Sequence, residues 1–83
     1  MVMSIQQIGE KIDLGNFNEA GTHLDELLSL GPSNLEALKL KALIASIRGQ
    51  FKEELEIWKK IIETYPDDEA ALNYFHKSFI EEK

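Results

Sequence analysis

The chain has 83 residues, 43% of them hydrophobic and 29% charged, which is enough for one domain and too few for a second. It contains no cysteine, which excludes disulfides, thiolate metal sites and cysteine nucleophiles and is compatible with a reducing compartment. A formal net charge of −6 opposes phosphate backbones and anionic lipid heads, so neither nucleic acid nor a membrane surface is an expected partner.

From the N-terminus, Met1-Val2-Met3-Ser4 lacks the basic and continuous apolar stretches of a secretory signal, and no later apolar run approaches bilayer length. A cytoplasmic location is the expectation. Ile5, Ile8 and Ile12 then recur at spacings of three and four, the pattern of an amphipathic helix. Gly15 suits the left-handed residue that ends such a helix, and Asn16 three before Glu19 reads as a capping box opening the next. That second helix carries Ala20, Leu24, Leu27 and Leu28, with Phe17 as a plug at the turn, and Pro32 breaks the chain after it.

Ser33 three before Glu36 reads as another capping box, for a helix on Leu35, Leu38, Ala42 and Ala45. Gly49 ends it and Phe51 takes the plug position. A fourth helix on Leu55, Trp58, Ile61 and Ile62 runs to Pro66, with Trp58 expected in the core. Asp67 and Asp68 then supply acids for the N-terminus of a fifth helix, residues 69–82, built on Ala71, Leu72, Phe75 and Phe79.

The order repeats. A displacement of thirty-four residues lays Gly15-Asn16-Phe17-Asn18-Glu19 on Gly49-Gln50-Phe51-Lys52-Glu53, Leu24 on Trp58, Leu27-Leu28 on Ile61-Ile62 and Pro32 on Pro66. Upstream of Gly15 the best side-chain match shifts to thirty-three, pairing Ile5 with Leu38 and Gly9 with Ala42, which predicts a first turn one residue shorter. The units are residues 1–32 and 33–66, followed by a single helix in 67–83.

A small residue at Gly9, then Gly15, Phe17, Ala20, the paired Leu27-Leu28 and a closing Pro32 in a unit of thirty-four residues resemble the tetratricopeptide repeat. The resemblance covers essentially the whole chain, as two repeats and a C-terminal helix. It implies an all-α fold of antiparallel helical hairpins stacked as a short right-handed solenoid, with Gly9, Ala42 and Ala20 at close helix approaches. The second unit departs from the pattern, because Glu54 stands where Ala20 stands in the first and a carboxylate there needs water or a partner.

The resemblance further implies an inner surface that holds peptides or helices of partner proteins. Carried over, it comprises Met3, Gln6, Glu10, Asp13, Lys39, Leu43, Ser46, Ile47, Asn73, Lys77 and Ile80. The subfamily that grips the C-terminal carboxylate of chaperones uses lysine, asparagine and arginine where this chain has Gln6, Glu10, Leu40, Ala70 and Tyr74, so that ligand is not expected.

No residues suggest a reaction centre. His23 and His76 fall on different helices, each without two further ligands nearby, so no metal or cofactor is expected. Phosphate loops, the G-x-S-x-G elbow and the H-E-x-x-H pair are absent. The adjacent carboxylates Asp25-Glu26, Glu53-Glu54, Asp67-Asp68 and Glu81-Glu82 point to different sides of a helix, unlike the facing pair of a glycoside hydrolase. The chain is therefore read as a non-enzyme.

Stacked repeats bury one another, and about three units are the usual minimum. Here the last helix has no hairpin partner for its edge of Leu72, Phe75, His76 and Phe79. Covering one leucine or aromatic contributes about 1.5–3 kcal/mol, which favours a cover from another chain over a bare edge. The expected function is a protein-interaction scaffold that self-associates into a homo-oligomer. The alternatives are a monomeric adaptor holding a partner segment in the inner groove, or a non-catalytic accessory subunit of a larger complex. Folding of Phe79 back onto Leu55 and Trp58 is the competing fate of the edge.

Overall fold

The computed structural model describes residues 4–81, and side chains through His76. Within them the chain is all-helical: α1 (Ile5–Asp13), α2 (Phe17–Leu30), α3 (Leu35–Ile47), α4 (Phe51–Thr64) and α5 (Glu69–Glu81). Each helix packs on the next, and α1 also reaches α3.

The helix ends follow from local chemistry. Gly15 and Gly49 take φ of 82° and 72°, the left-handed conformation that glycine adopts without a Cβ clash. Around them the freed carbonyls are recaptured: Gly15 N donates to Ile12 O and Asn16 N to Lys11 O, and Gly49 N donates to Ser46 O and Gln50 N to Ala45 O. This is the Schellman closure, made twice. Beyond it the same bonds recur thirty-four residues apart at two further places, Leu27 O and Ile61 O accepting from Gly31 N and Tyr65 N, Asn34 O and Asp68 O from Leu38 N and Leu72 N, whereas α1 begins later in its unit and is four residues shorter than α3. The two inter-helix turns are therefore equal in length, which corrects the thirty-three-residue register expected upstream of Gly15. Ile8 stands at the position of Ala42, both fully buried.

The N-caps differ from expectation in two places. α3 is capped by Asn34, whose Oδ1 accepts from Ala37 N at 3.2 Å, and not by Ser33. Asn16 precedes α2 but makes no side-chain cap bond, and Glu19 pairs with Lys11 at 3.2 Å instead of closing a box. The reciprocal capping box is at the first helix, where Ser4 and Gln7 exchange bonds of 3.0 and 3.2 Å. Asp68 caps α5, its Oδ2 accepting from Ala71 N at 2.9 Å.

Two apolar clusters meet at α3. Ile8, Ile12, Ala20 and Leu24 pack with Ala37 and Ile44 on one side of it, and Leu38, Ala42 and Ala45 pack with Ile57, Ile61 and Ala71 on the other. α4 lies rolled relative to α2. Its buried residues are Ile57 and Ile61, whereas Leu55 is exposed and Trp58 half-buried, which corrects the expected stripe. Glu54 stands at the position of the fully buried Ala20, and its carboxylate stays at the margin and accepts the Trp58 indole N–H at 3.2 Å. Phe17 packs against the first cluster as a plug, but Phe51 is 67% exposed and does not. Gly9 is not a close-approach residue either, since a Cβ added there would meet nothing within 4 Å.

α5 is tied to the rest by polar and aromatic contacts. Lys39 on α3 reaches Asp68 at 2.9 Å, and the Tyr65 hydroxyl donates to the Ser33 carbonyl. Trp58 stacks on Tyr74 with centroids 5.3 Å apart and planes at 18°.

Candidate partner-binding groove and docking edge

Between α1 and α3 lies an open groove of about 330 Å³ lined by Gln6, Gly9, Glu10, Ile12, Asp13, Leu40 and Leu43. It brings together Gln6, Glu10, Asp13 and Leu43 of the expected inner surface. Lys39 is not part of it, because its ammonium is held by Asp68 toward α5. Ser46 is half-buried, while Ile47 and Asn73 are exposed, and none of the three lines the groove. Met3 and the side chains of Lys77 and Ile80 lie outside the described residues.

Sequence reasoning missed Gly9, Ile12 and Leu40 as lining residues. The one-residue register difference explains the miss for Gly9. A residue of helix turns a side chain by about 100°, and a constant displacement of thirty-four sets Gly9, not Glu10, at the position of Leu43.

The second candidate is the free edge of α5. Leu72 stands thirty-four residues after Leu38 and is 49% exposed, whereas Leu38 lies 3% exposed under α4. His76 is exposed, at the position of buried Ala42. Phe75 is half-buried and contacts Tyr74 edge-on, centroids 5.2 Å apart, so it belongs in part to the aromatic row that begins at Trp58. The Phe79 side chain lies outside the described residues.

No family profile matches the chain. No solved structure matches it. The chain is similar to a protein of Sinorhizobium fredii (strain NBRC 101917 / NGR234) described as "Uncharacterized protein y4yS", with 34% identity over 61 residues. Those residues are 74% of this chain and 34% of that protein, so the chain spans about a third of the length of the curated relative it matches. The aligned stretch is longer than one thirty-four-residue displacement.

Titratable groups are mostly on the surface. Asp68 is held below its ordinary carboxylate value, first by the hydrogen bond from Lys39 and then by the Ala71 backbone N–H. His23 Nδ1 lies 3.4 Å from Glu26 Oε1 one turn along the same helix, and His76 is on α5. Among the described residues there is no group of three or more His, Cys, Asp or Glu placed to hold a metal ion. Nor, among them, is any helix long and apolar enough to cross a membrane.

Proposed function

We propose that this chain is a helical-repeat interaction module of the tetratricopeptide type that works by binding protein and associates with a second copy of itself through α5. In this reading residues 1–32 and 33–66 are two antiparallel hairpins stacked with a right-handed turn, and residues 67–83 begin a third unit. The recurrence of helix-end hydrogen bonds at thirty-four residues supports equivalent units. The shortest molecular dimension, 18 Å, suits two helix layers of about 10 Å each.

One observation carries the functional reading: Leu72 is exposed in the position where Leu38 is covered by its hairpin partner. On the first helix the exposed positions include Gln7, with Ser4 at its N-cap. An isologous contact, in which two copies set the same edge against each other, would cover Leu72 in both.

Light scattering on a dilution series tests this. The native chain should give a two-chain mass that falls toward one chain on dilution, and Leu72→Asp should give one-chain mass with unchanged helicity. A one-chain mass for the native protein at every concentration would overturn self-association.

A further inference from the structure

Gly9 is not accounted for by packing within the chain. It sits in the middle of α1, where glycine costs about 1 kcal/mol relative to alanine. A Cβ there would meet nothing within 4 Å, so no neighbouring helix requires its absence. The residue in the same position of α3 is Leu43, 45% exposed and lining the same groove. Gly9 thus leaves open space in a groove that Leu43 also lines.

The charge around that space has one sign. Glu10 and Asp13 are the charged groups on the groove wall, with no base lining it. Lys11, the nearest cation in sequence, is turned away to Glu19 at 3.2 Å. Two other hollows among the described residues are balanced: Lys41, Lys59 and Lys60 stand with Glu53, Glu56 and Glu63 in one, and Lys41 and Arg48 with Asp25 and Glu53 in another. A hollow with matched charges is neutralised from within, whereas two unmatched carboxylates over apolar walls select a cation that carries apolar surface.

We infer that the α1–α3 groove receives a cationic amphipathic segment of another protein. An apolar side chain of that segment sits over Gly9 against Leu40 and Leu43, and its lysine or arginine heads meet Glu10 and Asp13. The inference rests on the interaction-module reading for its fold, and not on self-association through α5.

Fluorescence anisotropy with a labelled leucine–lysine amphipathic peptide, and with its leucine–glutamate counterpart, tests it on the full chain. The lysine peptide should bind and the glutamate peptide should not. Gly9→Leu, which fills that space with a better helix former, should weaken binding by about tenfold, as should Glu10→Lys with Asp13→Lys. Glu56→Lys with Glu63→Lys makes the same change of net charge on another face and should alter binding by less than about twofold. Equal losses from the two charge pairs would reduce the effect to net charge and overturn the inference. So would unchanged binding by Gly9→Leu, equal binding of both peptides, or no binding at all. Light-scattering mass is expected to stay at the native value in the groove variants, so a failure here is separable from a failure of the α5 edge.

Discussion

Removing the Asp68 carboxylate tests how α5 is held. Asp68 acts twice: one oxygen accepts from Ala71 N at 2.9 Å and caps the helix, and the other meets Lys39 Nζ at 2.9 Å across to α3. Loss of an N-cap costs about 0.5–2 kcal/mol. The ion pair adds about 0.2–1 kcal/mol, since the Lys39 side chain remains about a third exposed and screened by solvent. Asp68→Ala should therefore destabilise by about 1–3 kcal/mol, whereas Asp68→Asn, which retains a capping oxygen, should lose only the smaller part. The carboxylate is held below its ordinary value of 3.8, so its contribution is present above that pH and is lost as pH falls through the lower folded value. Urea unfolding followed by circular dichroism at a series of pH values measures both effects. The difference between the native chain and Asp68→Asn should be constant near neutrality and shrink below about pH 4. A difference that does not depend on pH, or an Asp68→Asn loss as large as that of Asp68→Ala, would refute the charged tether.

Three further outcomes follow from burial and backbone geometry. Gly15→Ala and Gly49→Ala should each destabilise by about 1 kcal/mol or more because φ is positive, while Gly9→Ala should stabilise by about 0.5–1 kcal/mol; thermal midpoints compare them. Leu38→Ala should cost about 2–5 kcal/mol, whereas Leu72→Ala should shift unfolding by less than about 0.5 kcal/mol at concentrations where the chain is a monomer. Glu54→Ala restores the small residue found at position 20 and frees a half-exposed indole N–H, so it should change Trp58 fluorescence while altering stability by less than about 1 kcal/mol.

Much of the architecture was legible because its signals are local. Apolar spacing located the helices, Gly15 and Gly49 marked their ends, and the thirty-four-residue displacement related α2 to α4. Other features required positions that similarity alone does not fix. Asn34 and Ser33 are adjacent and both are good capping residues, so residue type alone does not choose between them; in the structure Asn34 caps α3. The need of Glu54 for a partner is visible in the sequence, but its choice of Trp58 is not. Lys39 has the sequence position of a groove residue, but Asp68, twenty-nine positions away, holds its ammonium. The Ser4-x-x-Gln7 box, by contrast, was a readable pattern that went unread. Of the expected inner surface, Gln6, Glu10, Asp13 and Leu43 line one groove, and Gly9 lines it too instead of serving a close helix approach.

The edge of α5 is most directly tested by amide hydrogen exchange at high and low protein concentration. Exchange at residues 70–76 should slow as concentration rises, because a second copy covers the helix, while α1 through α3 exchange at the same rate in both samples. Identical exchange along α5 at the two concentrations, with the native fold intact, would contradict a docking edge there.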